Sequence, residues 1–243
     1  MNLRRGIGVL PYLGILKLQG KERNMTTVGS GKYTYDLIED WPKLPAGESL
    51  GTVSSVATDS QDRVYAFQRK DPPVMIFDRD VNLLDCLWNG NFEFSHGIHI
   101  ADDIIYVTDR NSSVCIMYTL EGRPIQMLGR HGVHSDTGCE NPGDLCPRAA
   151  GPFNYPSELV PSPSGDLYVS DGYRNARIHR FTADGQLKAS WGQPGKTEPG
   201  HFHLPHSILV DDASTVFVCD LSLIHISEPT RPLYISYAVF CLK

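Results

Sequence analysis

Residues 156–192 read PSELVPSPSGDLYVSDGYRNARIHRFTADGQLKASWG. An apolar run leads into a Ser/Gly/Asp turn, then a β-rich run that closes on Asp171. A second β-rich run, the turn Ala183-Asp184-Gly185 and a further run complete the unit. Short β-rich runs bounded by Asp/Gly turns predict antiparallel strands joined by hairpins. The stretch therefore predicts four short strands in one small sheet.

The same register recurs. Its first half reappears as VSSVATDSQDRVYAF (53–67), HGIHIADDIIYVTD (96–109) and PHSILVDDASTVFVCD (205–220). Its second half reappears as VMIFDRDVNLLDCLW (74–88) and VCIMYTLEGRPIQMLG (114–129). The aromatic residue of the second strand marks the period at Tyr65, Tyr106, Tyr168 and Phe217, at intervals of 41, 62 and 49 residues. Propeller blades repeat at about 40–50 residues. The long interval predicts an insertion over roughly 131–152, placed on a propeller face where loops can grow. One four-stranded sheet cannot bury both faces alone, and radial stacking buries them. A β-sandwich with similar turns is the alternative, but it does not explain strand pairs recurring in register. The predicted fold class is all-β, an incomplete β-propeller of about three and a half four-stranded blades across 52–220, after a lead-in at 25–51.

Composition agrees. The 22 Gly and 17 Pro among 243 residues favour many turns over long helices. With 22 Lys+Arg against 28 Asp+Glu the net charge is −6, and no basic run is present. Such a chain is a poor phosphate binder, so no nucleic-acid partner is expected. A small-molecule or peptide substrate is expected instead. No CxxC pair occurs among the six Cys, which removes zinc-finger spacing. Cys139 and Cys146 share the segment TGCENPGDLC, where a loop disulfide suits an oxidising compartment and free thiols suit a reducing one. Cys115 and Cys219 lie in apolar strand patterns and are expected to be buried thiols.

Two readings of residues 1–24 stand. Lys17 interrupts the apolar stretch and no small-residue cleavage site follows, which favours a start at Met25 and a cytoplasmic protein. A poor secretion signal is the other reading. The stretch is too short and broken to span a membrane, and no membrane partner is expected. At the other end, residues 221–243 lose the strand–turn register. SLIHISEPTRP resembles a translated sequencing adapter, so 221–243 is expected to be a non-native tail that packs poorly or irregularly.

The units resemble NHL-type repeats. More narrowly, FSHGIHI, LYVSDGYRNARIHRF, ASWGQPG and FHLPHSILV resemble the peptidyl-α-hydroxyglycine α-amidating lyases (peptidylamidoglycolate lyases), six-bladed propellers. The resemblance covers about 52–220. It implies zinc held by three His from three blades, of which His96 and His206 match two, the third falling in a later blade. It implies Tyr173 as catalytic base and Arg69 as the arginine that binds the substrate carboxylate. It also implies a structural calcium bound partly by the carbonyls of Val56 and Ile98. His99, His201 and His203 match no ligand and are read as neighbours.

Chemistry makes each role intelligible and leaves a plainer reading beside it. Imidazole is a natural zinc ligand, or simply a hydrogen-bonded channel side chain. A tyrosine base needs nearby positive charge, since a free phenol loses its proton near pH 10; otherwise it packs on a rim. Guanidinium binds carboxylate with two bonds, or sits solvated at the surface. There are two departures. Leu221 stands where the resemblance expects Arg after the Asp matching Asp220, and Asn154 and Arg174 occupy expected disulfide positions. Two functions follow: a metal-dependent lyase splitting N-acyl α-hydroxyglycines into a carboxamide and glyoxylate, with this chain by itself inactive, or a non-catalytic NHL propeller binding a protein or ligand on one face.

Overall fold

The computed structural model describes residues 26–37, 41–223 and 239–242. The expectations for residues 1–24 lie outside them. The chain divides into two units, residues 1–41 and 42–243. In the first, β1 (Thr26–Ser30) and β2 (Tyr33–Leu37) form an exposed hairpin.

The second unit carries the repeats. β3 (Val53–Thr58), β4 (Val64–Gln68), β5 (Val74–Phe77) and β6 (Leu83–Leu87) form blade 1. β7 (Ser95–Ala101), β8 (Ile104–Asp109), β9 (Val114–Thr119) and β10 (Pro124–Gly129) form blade 2. β11 (Pro156–Pro161), β12 (Leu167–Asp171), β13 (Arg177–Phe181) and β14 (Leu187–Trp191) form blade 3. Each is antiparallel with strands in sequence order. A short parallel pair, β15 (Gln193–Pro194) and β16 (His201–Phe202), precedes blade 4. Blade 4 contains β17 (Pro205–Val210), β18 (Val216–Asp220) and β19 (Val239–Leu242). The all-β propeller expectation holds: the described residues give three four-stranded blades and three strands of a fourth.

The period of two explains the stacking. Ile105 and Val107 face blade 1 and pack with Tyr65, Phe67 and Ile76. Tyr106, between them, faces blade 3 and packs with Leu159, Val169 and Phe181. Tyr168 repeats this one blade on, against Ile208, Val216 and Val218. Each interface thus buries several large apolar side chains, each worth about 1.5–3 kcal/mol. Cys139 and Cys146 of the insertion join the third cluster as free thiols. Cys115 is buried as expected; Cys219 is half-buried.

Part of the tail is described. Val239–Leu242 pairs antiparallel along β18, Val216 opposite Leu242. An edge strand offers a row of unpaired N–H and C=O groups, and an extended apolar segment can take them up whatever its origin. Residues 224–238 lie outside the described residues.

Candidate functional site

Each innermost strand opens with a bulge. Register shifts fall between Val53 and Ser55, Ser95 and Ile98, Pro156 and Glu158, and Pro205 and Ser207. A bulge re-aims the side chains it holds. The bulged positions are Ser54, His96-Gly97, Ser157 and His206, and all of them line one cavity of about 250 Å³ between the innermost strands. Both sequence-predicted histidines are therefore placed by the same backbone device on different blades.

Two glycines allow the blades to come this close. A Cβ on Gly97 would lie 2.5 Å from the Ser157 carbonyl oxygen. One on Gly172 would lie 2.2 Å from the Pro205 carbonyl oxygen. Gly97 follows His96 and Gly172 precedes Tyr173, so both tight contacts adjoin site residues.

The structure brings His96, Tyr173 and His206 together. The Tyr173 hydroxyl lies 3.1 Å from His96 Nε2 and 3.1 Å from His206 Nε2. The two imidazole centroids are 4.9 Å apart. His96 Nδ1 donates to the Ser157 carbonyl at 2.8 Å, which leaves Nε2 as the lone-pair nitrogen of the neutral ring. Burial, then the neighbouring His206, pushes the His96 imidazole down to about 3. Burial, with Arg69 and Arg110, also pushes His206 down. Neutral imidazole is the form that ligates a metal, and a carbonyl on the far nitrogen is the usual orienting partner. The pair fits a zinc site as two of its donors. Among the described residues no group of three His, Cys, Asp or Glu is clustered for a metal.

Arg69 lies near enough to this trio for its charge to act on both imidazoles. Its guanidinium carbon stands 4.1 Å from the Phe94 ring centroid, and its Nε donates to the Ser95 carbonyl at 3.4 Å. Arg110 was not singled out from sequence. Its guanidinium carbon is 3.7 Å from the same ring and 4.6 Å from that of Tyr173.

A repeated clamp explains why these residues converge. The last side chain of each blade's second strand accepts N–H groups from the segment ahead of the innermost strand. Gln68 takes Gly51 at 2.5 Å, Asp109 takes Glu93 and Phe94, Asp171 takes Asn154, and Asp220 takes His203 and Leu204. The next residue then donates its own N–H to the same segment. Arg69 reaches the Thr52 carbonyl, Arg110 that of Phe94 and Leu221 that of Leu204. Blade 3 is one residue longer, and Tyr173 reaches Tyr155. The signal for Arg110 was thus its position just after Asp109, equivalent to Arg69 after Gln68.

Asn154 and Arg174 hold the insertion by hydrogen bonds. Asn154 Nδ2 donates to the Ser135 carbonyl at 2.9 Å, and Arg174 Nε to that of Cys139 at 2.9 Å. Gly143 N–H reaches the Tyr173 carbonyl at 2.6 Å, and His203 Nε2 lies 3.1 Å from the Gly143 carbonyl. The insertion therefore braces the backbone of Tyr173. Val56 and Ile98 lie on adjacent innermost strands, and the Ile98 carbonyl accepts the Ser55 hydroxyl at 3.4 Å. Two carbonyls fall short of the six to eight oxygens calcium takes, so calcium rests on the resemblance alone and enters no step below. His99 packs beside Tyr106, and His201 lies 3.8 Å from Glu198.

Known proteins are similar to this chain. The NHL repeat-containing protein 3 of Homo sapiens is 32% identical over 202 residues, covering 78% of this chain and 54% of the relative. A probable peptidyl-α-hydroxyglycine α-amidating lyase of Caenorhabditis elegans is 26% identical over 200 residues, covering 71% and 54%. Its relatives are NHL-repeat proteins and α-amidating lyases. No family model matches the chain. The chain spans about half the length of those two relatives. Among solved structures, a streptogramin B lyase superposes with a TM-score of 0.52 at 11% identity, covering 72% of this chain and 50% of that one. That likeness concerns the fold.

Proposed function

We propose that this segment belongs to a metal-dependent amidating lyase, acting on N-acyl α-hydroxyglycines. The observation that carries the reading is the Tyr173 hydroxyl held between the Nε2 atoms of two neutral histidines, His96 buried and His206 half-buried. His96 and His206 would hold zinc, which supplies Lewis-acid polarisation of a substrate oxygen. Catalytic zinc sites use three protein ligands, so the reading concerns a protein that adds a third from a further blade. The chain by itself is expected to be inactive.

Arg69 binds the substrate carboxylate. The Tyr173 oxygen takes the α-hydroxyl proton. The O–H electron pair becomes the C=O bond of glyoxylate as the C–N bond breaks. The amide nitrogen keeps the C–N pair and takes that proton back from Tyr173, giving the carboxamide and restoring the base.

The test is glyoxylate release by the zinc-loaded, full-length protein. Tyr173→Phe is expected to lower turnover by about 100-fold or more with zinc content unchanged, the usual scale for a lost general base. Full turnover in that variant would remove Tyr173 from the chemistry. A non-catalytic NHL propeller is the second reading, favoured by the 32% identity to a relative whose name carries no activity. It predicts no glyoxylate release from the wild-type protein.

A further inference from the structure

We propose that Arg110 joins Arg69 in a two-guanidinium seat for the carboxylate of the ligand, with Phe94 as the plate that orients both. The resemblance assigns no role to Arg110. The proposal deepens the lyase reading and rests on it for the identity of the substrate; the seat itself stands on the geometry.

Both guanidiniums stack on one ring, at 3.7 and 4.1 Å from its centroid. Stacking on an aromatic ring fixes a guanidinium plane while leaving its N–H edge available for an anion. Neither arginine forms an ion pair among the described residues. Asp71 and Glu93 line the cavity beside Arg69 but do not pair with it. The Arg110 Nε donates to the Asn111 side-chain oxygen at 3.1 Å, a neutral partner. Burial first, and Arg69 beside it, lower the Arg110 guanidinium, and a part-buried cation with no ion-pair partner is costly unless an anion arrives.

Position supplies the second line. Arg69 and Arg110 occupy equivalent places after the clamp residues of adjacent blades, so the backbone aims both at the same end of the channel. Arg110 also lies against Tyr173, 4.6 Å from its ring centroid. In an N-acyl α-hydroxyglycine the carboxylate and the hydroxyl share one carbon. A residue that seats the carboxylate must therefore adjoin the group that takes the hydroxyl proton, and Arg110 is the arginine that touches Tyr173.

The experiment uses N-benzoylglycine, which carries the carboxylate but lacks the hydroxyl and cannot react, and N-benzoylglycinamide, which lacks the charge. Binding of each to the full-length protein is measured by calorimetry. The wild type is expected to bind the acid at least tenfold more tightly than the amide. Arg110→Met should weaken the acid at least tenfold and leave the amide unchanged. Arg110→Lys, which keeps charge and stem, should weaken the acid about threefold, and it is read alone if Arg110→Met does not fold. No acid-over-amide preference in the wild type, or unchanged acid binding in the variants, overturns the seat. Equal weakening of acid and amide also overturns it, because Arg110 would then only shape the pocket. Glyoxylate release is measured in parallel. An Arg110-dependent acid preference without glyoxylate release leaves the seat standing and removes the lyase reading.

Discussion

Blades 2 and 4 close their second strands on the same residue and part at the next one. Asp109 accepts the N–H groups of Glu93 and Phe94; Asp220 accepts those of His203 and Leu204. The following residue in each donates to the carbonyl of that segment. In blade 2 that residue is Arg110, lying against Tyr173; in blade 4 it is Leu221, 40% exposed. The backbone is the same and the chemistry is not. The clamp position builds the blade, and the position after it decides what the channel end can bind.

The largest expected effect is on the clamp. Asp171 is wholly buried and also contacts Asn175 Nδ2 at 2.8 Å and His179 Nε2 at 3.1 Å. Asp171→Ala strands those donors and should cost about 3–5 kcal/mol in chemical denaturation. Asp220→Ala strands two backbone N–H groups and should cost about 1–3 kcal/mol. Equal losses would mean the clamps differ less than their partners suggest.

Next comes the close approach of blades 3 and 4. Gly172→Ala places a Cβ 2.2 Å from the Pro205 carbonyl oxygen, so one backbone must shift. A stability loss of about 1–3 kcal/mol is expected, the scale of overpacking. Gly151, with nothing within 4 Å of its would-be Cβ, is the control. Gly151→Ala should stay within about 0.5 kcal/mol. If the two variants melt alike, the tight contact does not hold the blades in place.

The blade architecture was legible because strand period and turn chemistry are local. Tyr65, Tyr106 and Tyr168 marked it, and each packs toward the following blade. His96 and His206 were legible as equivalent positions, but their convergence on one hydroxyl depends on bulges that leave no residue signature. Gln68 hid the first clamp, since an amide there breaks the Asp pattern while doing the same work through Oε1. Arg110 was missed because an arginine after a strand reads as surface charge until Phe94 and Tyr173 are placed around it. The pairing of β19 leaves no residue signature, because an open edge accepts strands on backbone grounds alone.

Acid should loosen the channel from the histidine side. The His96 imidazole is held at about 3, against an ordinary value of 6.5. Below pH 6.5 the unfolded chain therefore binds a proton that the folded chain refuses. Stability falls as pH drops from 6.5 toward 3, by up to about 1.4 kcal/mol per pH unit for this one proton. Urea midpoints of the metal-free protein should show the slope, and His96→Gln should remove one proton's worth of it. An unchanged slope would mean that His96 takes up its proton without unfolding the site.

The smallest expected effect comes from repairing the difference between the two blades. Leu221→Arg places a guanidinium where blade 2 has Arg110, on a backbone already fixed by the Leu204 carbonyl at 2.9 Å. Leu221 is exposed, so stability should move by no more than about 0.5 kcal/mol. Another cation near the channel should still strengthen binding of N-benzoylglycine, by roughly threefold, while N-benzoylglycinamide stays unchanged. The gain is small because a cation there is partly solvated and screened. It should shrink further as salt is raised, which separates a charge effect from a change in shape. If acid and amide respond alike, the residue after the clamp is not aimed at a common site in every blade, and the division between building and binding positions holds only for blades 1 to 3.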